Sequence, residues 1–323
     1  MRIMILNILI ISVIFFLSCD DNFSPYGQFQ EKYILTCVLR GDTTLQTATL
    51  SHSYMPDGAD PLVYNDDPYI MGADIRVWFE DSVYIFKDTT TARIDSSRYN
   101  SPFHYYYNNR FKVLNTRSIE IEVLLQNGRR LRAASVTPAE IVFKPNSSVI
   151  IPPVNSDLVQ FFWEGQESGT FFSPKFEIKY LHNVNGNSDS KSIEVPLKYE
   201  NKDGILSPVY PQSSSRSSVI YDIDVVINTL EKISEGDPEK GNYTIFQTPI
   251  LDLLAFDNPL SVYLSSTGQS INDLTVNANT SDFTNIDGGL GIFGSQTKKN
   301  YSAIKFLPDF IQSFGYNFIY DNN

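Results

Sequence analysis

The sequence predicts an all-β protein with two β-sandwich-like domains and one or two short helices in the second. Short segments rich in β-branched and aromatic residues recur along the chain, with Gly, Pro, Asn and Asp between them. No long segment with a helical period separates these segments, which argues against an α/β fold. Aromatic residues make up 13% of the chain, as is typical of packing between β-sheets.

Residues 1–18 are typical of a cleaved secretory signal. Arg2 supplies a positive charge, residues 3–17 are predominantly apolar, and the small Ser18 stands at the expected cleavage site. An apolar run of about fifteen residues is too short for a permanent membrane span, which takes roughly twenty. The alternative is an ordinary secreted protein with a free cysteine near its start.

Cys19 is the candidate lipidation site. Together with residues 16–18 it resembles the lipobox of bacterial lipoproteins, in which the cysteine is acylated and becomes the first residue. Several acyl chains would anchor firmly, because each buried CH₂ contributes about 0.8 kcal/mol. Asp20 and Asp21 resemble the acidic signal that sends some lipoproteins to the outer face of the outer membrane. We therefore expect an outer-membrane lipoprotein of the cell envelope, with residues 19–28 as a lipidated tether.

Charge and cysteine content restrict the classes of partner and the source of stability. The chain has 25 basic and 37 acidic residues, and loss of Arg2 with the signal peptide leaves a net charge of −13. A nucleic-acid partner would need a basic surface, so none is expected. Once Cys19 is lipidated, Cys37 has no partner for an intramolecular disulfide, and burial of a core must hold the fold together.

Residues 29–137 are predicted to form the first domain, and its first strand is the clearest. Every second residue from Tyr33 to Leu39 is apolar, and the same alternation includes Phe29. Cys37 lies on this apolar face, so we expect it in the core rather than as a reactive thiol.

A hairpin is predicted to end the first domain. In its first strand, apolar residues alternate with Glu120 and Glu122, which is typical of a strand with one solvated face. Asn127-Gly128 then predicts a type I′ turn that returns the chain through residues 129–136. The first strand of this hairpin is predicted at residues 118–126. The other strands of the domain are predicted at residues 45–54, 73–80 and 83–87.

Residues 138–323 are predicted to form the second domain, because four prolines between residues 138 and 153 mark a boundary. Trp163 and the strand pattern at 176–180 resemble the start of a fibronectin type III domain, so an Ig-like or fibronectin type III-like sandwich with extensions is expected. Strands are predicted at residues 158–164, 175–182, 191–200, 219–225, 260–265 and 301–306, and short helices at 226–234 and 308–314.

Two segments match binding motifs in their letters but not in their context. Residues 289–294 fit G-x-G-x-x-G, yet neither a buried strand before them nor a helix after them is predicted, so we expect a glycine-rich turn packed against the sheet. Residues 183–189 loosely resemble a calcium loop, but the glycine position is wrong and asparagines replace most carboxylates. A polar hairpin turn is the preferred interpretation, and no cofactor is expected.

Metal binding and hydrolysis have little support in the sequence. His52, His104 and His182 are isolated from one another, without the spacing of a zinc site, so no metal is expected. No G-x-S-x-G segment supports a serine nucleophile, although catalytic residues can assemble from distant positions.

The candidate binding residues are Tyr105, Tyr106 and Tyr107 in an aromatic cluster. Exposed aromatic rings can stack on sugars or anchor a protein partner. The alternative is a strand whose aromatic side chains are divided between core and surface.

Several features occur in an order that resembles a known family. They are the lipobox cysteine, the acidic tether, the strand at 33–40, the segments 47–51 and 72–77, and the closing segment 284–294 with its Asn-Ile and Gly-x-Phe-Gly letters. This order is similar to the envelope lipoproteins grouped as domain-of-unknown-function family 4249. The resemblance implies a lipoprotein with an all-β body and transfers no catalytic residue.

Members of that family are frequently encoded beside TonB-dependent outer-membrane receptors. The resemblance therefore implies a non-catalytic, membrane-anchored lipoprotein that assists nutrient uptake or surface recognition. The expected partners are the membrane through the lipid anchor, a TonB-dependent receptor, and a glycan or peptide bound by loops of the β-domains. The alternatives are a structural or adhesive envelope component and a small hydrolase with a site assembled from distant residues.

Overall fold

A computed structural model describes residues 29–55, 67–94, 96, 99, 101–165, 169–202, 205–267 and 283–320. The predicted signal peptide, Cys19 and the tether lie outside these residues. Strands account for 50% of the residues and helices for 11%, so the predicted all-β, sandwich-like fold class is confirmed. Within the described residues, no helix combines the length and the apolar character that crossing a membrane requires.

The described residues form nineteen strands and three short α-helices. The strands up to residue 136 are β1 (Tyr33–Arg40), β2 (Gln46–His52), β3 (Asp74–Phe79), β4 (Ser82–Thr91), β5 (Phe103–Asn108), β6 (Ser118–Leu124) and β7 (Arg130–Val136). The later strands are β8 (Ile150–Ile151), β9 (Leu158–Phe162), β10 (Phe171–Val184), β11 (Asn187–Glu194), β12 (Lys198–Lys202), β13 (Ile205–Val209), β14 (Ser218–Asp222), β15 (Tyr243–Phe246), β16 (Ile250–Phe256), β17 (Leu290–Tyr301), β18 (Lys305–Phe306) and β19 (Asn317–Ile319). The helices are α1 (Ile223–Lys232), α2 (Asn258–Thr267) and α3 (Pro308–Gln312), with a short 3-10 helix at Lys240–Asn242.

A 13-stranded mixed sheet runs through the whole molecule in the order β19-β15-β10-β16-β17-β1-β2-β5-β4-β3-β6-β7, with β11 beside β10. Within this sheet, strand β17 connects strands β1–β7 to strands β10, β15, β16 and β19. Its first half pairs in parallel with β1, and its second half pairs antiparallel with β16. The pairs β9–β14, β8–β18 and β12–β13 form separate ladders. The sheet therefore depends on a strand near the end of the chain to pair with the first one.

Two large hydrophobic clusters form the core. One takes its buried residues from positions 33–131 together with Ile286 and Phe293, and the other takes them from Ile141 onward. A smaller third cluster lies under α2. The predicted domain boundary between residues 137 and 138 stays a prediction, and the structure adds that residues 286–293 return to the first cluster.

The alternation predicted for the first strand is present in β1. Tyr33, Leu35, Cys37 and Leu39 are buried on one face, whereas Phe29 precedes the strand and is exposed. Burial raises the pKa of the Cys37 thiol to about 12, so the thiol is protonated at neutral pH. Cys37 is a core residue, as predicted.

The turn at Asn127-Gly128 differs from the predicted type I′. Of these two residues only Gly128 has a positive φ, +82°, and its N–H donates to the carbonyl of Leu125 at 2.9 Å. This is the pattern of a three-residue hairpin loop that ends in a left-handed glycine. Asn185 and Gly186 both have positive φ and join β10 to β11, so the predicted polar hairpin is confirmed there with the type I′ geometry.

Two elements predicted as strands in the second domain have other structures. Residues 260–265 belong to helix α2, because Asp257 caps the helix and Pro259 stands in its first turn. The strand predicted at 301–306 is the end of the long β17, followed by the short β18. The helices predicted at 226–234 and 308–314 are present as α1 and α3, with α1 starting three residues earlier than predicted.

Candidate functional site

The three predicted binding tyrosines lie on β5 and alternate between its two faces. Tyr106 is 1% exposed in the first core cluster. Its hydroxyl donates to the carbonyl of Ile70 at 2.8 Å and accepts from the N–H of Ala73 at 3.1 Å. Tyr106 is therefore a core residue, whereas Tyr105 and Tyr107 are half-buried on the opposite face.

Tyr105 and Tyr107 belong to a line of rings, which we call the aromatic row: Tyr69, Phe103, Tyr105 and Tyr107. The ring centroids are 5.0 Å apart for Tyr69 and Phe103, 6.0 Å for Phe103 and Tyr105, and 6.5 Å for Tyr105 and Tyr107. All four side chains are partly accessible. The row is a continuous, partly exposed aromatic surface: three of its rings lie on strand β5, and Tyr69 lies beside β2 in an isolated bridge, whereas binding through loops was predicted.

Arg93 fixes one end of the aromatic row. Its guanidinium lies over the rings of Tyr69 and Phe103, 5.7 and 5.6 Å from the centroids, and its Nη2 is 2.7 Å from Asp67 Oδ2. Burial alone would raise the pKa of Asp67, but hydrogen bonds from Ser101, the Tyr69 N–H and Arg93 hold that pKa below its usual value. The carboxylate therefore stays charged and keeps the guanidinium on the rings.

A polar groove of about 500 Å³ lies on the same face of the sheet, beside the aromatic row. Thr47 of β2 lines the groove and pairs directly with Tyr107 of β5. Because paired residues of antiparallel strands share a face, the row and the groove are neighbours. The groove crosses β10, β16, β17, β1 and β2, and its lining is Thr36, Val38, Arg40, Asp42, Thr47, Ala48, Thr49, Ser173, Lys175, Asp252, Leu254, Gln296 and Lys298.

Each cation of the polar groove is paired with a carboxylate. The guanidinium of Arg40 binds Asp42 through two bonds of 3.0 and 2.8 Å. Lys298 Nζ lies 2.6 Å from Asp252 Oδ2, and Lys175 Nζ lies 3.0 Å from an oxygen of Glu177. The charges in and around the groove therefore balance.

Two acceptors in the lining of the polar groove have no hydrogen-bond partner within the described parts of the chain. They are Oε1 of Gln296 and Oδ1 of Asp252. Gln296 is 8% exposed and sits where β17 passes between Arg40 of β1 and Phe256 of β16. A buried acceptor without a donor is unfavourable and calls for an explanation at its site.

A second cleft, of about 590 Å³, lies beside Asp257. This carboxylate is 2% exposed and accepts hydrogen bonds from the Ser135 hydroxyl at 2.7 Å, the Ser295 N–H at 2.7 Å and hydroxyl at 2.9 Å, and the Leu260 N–H at 3.0 Å. Burial raises its pKa to about 6, although these hydrogen bonds oppose the shift. Because its oxygens are all occupied in joining β7, β17 and α2, we interpret Asp257 as a structural group.

Most of the glycine-rich segment, residues 290–294, belongs to strand β17, and only Gly289 lies in the turn before it. Gly291 has a φ of +109°, and a Cβ at this position would lie 2.0 Å from the carbonyl oxygen of Leu35 on β1. Glycine is needed because the two parallel strands approach so closely here. The side chain of Asn285 bonds to both backbone groups of Phe293, at 2.7 and 2.9 Å, and acts as an additional strand partner.

The three histidines lie on different strands. His52 of β2 is 3.1 Å from Glu31, His104 belongs to β5, and His182 of β10 stacks on Tyr243 with centroids 4.4 Å apart. Among the residues that the structure describes, no group of three His, Cys, Asp or Glu side chains has the arrangement of a metal site.

Comparison of the chain with protein-family models and with curated proteins finds no match. The resemblance to the family 4249 lipoproteins therefore stays a prediction.

Proposed function

We propose that this chain is a non-catalytic envelope lipoprotein, anchored through an acylated Cys19, whose β body binds a ligand or partner for nutrient uptake or surface recognition. The anchor rests on the sequence alone: the signal peptide, the lipobox-like residues 16–19 and the acidic tether. In the proposed arrangement a TonB-dependent receptor is the membrane partner. The lipid holds the body beside that receptor.

The aromatic row is the observation that carries the binding proposal. Half-exposed tyrosines on a rigid strand present large contact areas at low entropic cost. Arg93 and Asp67 hold the row in place at one end, and the polar groove continues it across the sheet. Apolar ring faces beside polar groups are the usual composition of a recognition surface.

The lipid anchor is tested by labelling the full-length chain in its bacterial host with an alkyne fatty acid. We expect the label on the wild-type protein and on Cys37→Ala, and its loss from Cys19→Ala. Cys37 is the matched control because it is the other cysteine of the chain and is fully buried. Label on Cys19→Ala would contradict the proposed anchor.

The receptor partnership is tested by cross-linking in intact cells, followed by purification and identification of the cross-linked proteins. We expect a TonB-dependent barrel to be recovered with the wild-type protein. The absence of such a barrel, in cells that produce TonB-dependent receptors, would contradict the partnership and favour a structural or adhesive role.

A further inference from the structure

Strand β7 is the last strand at one end of the large sheet, and part of its outer edge has no partner within the described residues. The N–H and C=O of Arg132 point away from β6, because they bond to Asp287 at 3.0 and 2.8 Å. Backbone groups alternate in direction along an antiparallel strand, so those of Ala134 and Val136 point the same way as those of Arg132. We call these four backbone groups of Ala134 and Val136 the open edge.

The open edge borders two clefts. One cleft, of about 590 Å³, is lined by residues 134–139 and by the start of α2. The other, of about 620 Å³, is lined by Ala134 together with Asn285 and Asp287. Residues 283–286 make no backbone hydrogen bond to β7, and both Ala134 and Val136 are exposed. An accessible strand edge without a partner is a template for a further strand.

Strand β11 shows how this chain protects another edge of the same sheet. Within the described residues β11 pairs with β10 alone, and its exposed residues 187–192 are all polar, with Asp189 and Lys191 among them. Charged side chains on an edge discourage pairing with another chain. The part of β7 that carries the open edge, Ala134 to Val136, has no charged side chain. The open edge therefore lacks the protection that β11 has.

A row of side chains leads from the open edge across the sheet. Trp78 pairs directly with Glu120, and Glu120 pairs directly with Ala134, so the three side chains share one face. The neighbouring Glu80 and Glu122 are ion-paired with arginines, whereas Glu120 has no basic partner within the described residues. The cleft of about 590 Å³ includes Glu120 and no Lys, Arg or His in its lining. This face is therefore complementary to a cation.

A strand added to β7 would bring one of its side chains into this row. The residue opposite Ala134 would lie two strand spacings, about 10 Å, from Glu120. An extended lysine or arginine side chain can cross the small Ala134 and meet the Glu120 carboxylate. Trp78 is the next residue of the row, and an indole ring attracts cations. A short or acidic side chain at the same position would gain neither contact.

We infer that the open edge binds an extended segment of a partner protein as an added β-strand, with a lysine or arginine opposite Ala134 that pairs with Glu120. A second copy of β7, paired antiparallel about Ser135, would place Val136 opposite Ala134 and leave Glu120 without a cation. The charge therefore favours a basic segment of another protein. This surface uses other strands than the aromatic row, and the inference does not depend on the lipid anchor.

The test measures the binding of dye-labelled decapeptides to the detergent-solubilised full-length protein by fluorescence anisotropy. The peptides alternate Thr and Val and carry Lys, Glu or norleucine at one central position. A further peptide keeps the central lysine but has N-methylated amides around it. N-methylation removes the N–H donors that a strand needs, and it leaves the charge of the peptide and the protein itself unchanged.

Two substitutions test the edge and the charge, each with a matched control. Ala134→Pro removes an N–H of the open edge, and proline is tolerated where a strand N–H faces away from the sheet. Ser190→Pro is its control on β11, since the N–H of Ser190 also points away from the neighbouring strand. Glu120→Gln removes the charge and keeps the shape. Its control is Glu235→Gln, because Glu235 is exposed and lies outside the clefts.

We expect the lysine peptide to bind the wild type about 10-fold more tightly than the glutamate peptide, and N-methylation and Ala134→Pro each to weaken it about 10-fold. Ser190→Pro and Glu235→Gln should leave the Kd unchanged. Glu120→Gln should remove most of the preference for lysine over norleucine. Because Glu120 is exposed and has no ion pair within the described residues, its melting temperature should not change.

Three results would overturn the inference: no peptide binds, the glutamate peptide binds as tightly as the lysine peptide, or N-methylation leaves the Kd unchanged. If Ala134→Pro fails to fold, the N-methylated peptide and Glu120→Gln still decide. Sedimentation velocity covers the remaining occupant, because a wild-type dimer that Ala134→Pro dissociates would assign the open edge to a second copy and overturn the peptide site. Lipidation of Cys19 and recovery of the receptor are judged separately.

Discussion

The buried carboxyl of Asp257 makes the stability of the fold depend on pH in an unusual direction. Burial raises its pKa in the folded chain to about 6, against an ordinary value of 3.8 for an aspartate side chain. Between these values the folded chain holds a proton that the unfolded chain has released, so stability falls as pH rises. A difference of roughly two pH units corresponds to about 3 kcal/mol, since one unit is worth about 1.4 kcal/mol.

The perturbation is Asp257→Asn, which removes the titration and keeps the shape of the side chain. We expect urea unfolding to show that the free energy of unfolding of the wild type falls by about 2–3 kcal/mol more than that of the variant between pH 4 and pH 7. The two proteins share all other titrating groups, so the contributions of those groups to the pH dependence cancel in the comparison. At pH 7 the variant is expected to lose part of its stability as well, because one amide oxygen cannot accept from both Ser295 and Leu260.

Asp67 provides a control in which stability should change with pH in the opposite direction, because its pKa is lowered in the folded chain. That carboxylate contributes stability above its unfolded pKa, and the contribution is lost as pH falls through the folded pKa. The wild type should therefore lose stability relative to Asp67→Asn on acidification. Parallel pH profiles for the wild type and Asp257→Asn would refute the reasoning about Asp257.

Three further changes test the fold by thermal or urea unfolding. Gly291→Ala should lower the free energy of unfolding by more than about 4 kcal/mol, because its Cβ would meet the β1 backbone at 2.0 Å. Gly165→Ala is the control, since a Cβ there has no neighbour within 4 Å, and equal melting curves for the two variants would contradict this expectation. Gly128→Val should cost about 1–3 kcal/mol through its positive φ alone, and an unchanged midpoint would show that the loop adapts without strain. Tyr106→Phe should cost about 1–3 kcal/mol through two lost hydrogen bonds, whereas Tyr105→Phe should change stability by less than about 0.5 kcal/mol, and equal effects would contradict their assignment to core and surface.

Local alternation in the sequence was sufficient to predict much of the fold. In β1 the period of two placed Cys37 in the core correctly, since one face is buried and the other partly exposed. The same reasoning failed at residues 260–265, where the apolar residues of α2 also suit a strand. There the informative signal was the Asp257-Asn258-Pro259 start, which is typical of a helix N-terminus.

The candidate site was only partly accessible to sequence reasoning. A contiguous cluster revealed the three tyrosines, and alternation implied that at least one ring would be exposed, as Tyr105 and Tyr107 partly are. The polar groove takes its residues from five strands that are distant in sequence, and Gln296 meets Arg40 only because β17 pairs with β1. Parallel pairing across most of the chain leaves no local pattern from which it could be predicted.

Because β1 pairs in parallel with β17, the sheet around β1 is complete only after residues 290–296 have been synthesised. Ile34 pairs with Leu290, so the first strand keeps an open edge until almost all of the chain has been synthesised. A chain that stops before residue 290 leaves that edge unpaired and lacks Phe293, which is part of the first hydrophobic cluster. The N-terminal strands therefore keep an unpaired edge until residues 290–296 have been made, and truncation before these residues damages the beginning of the fold.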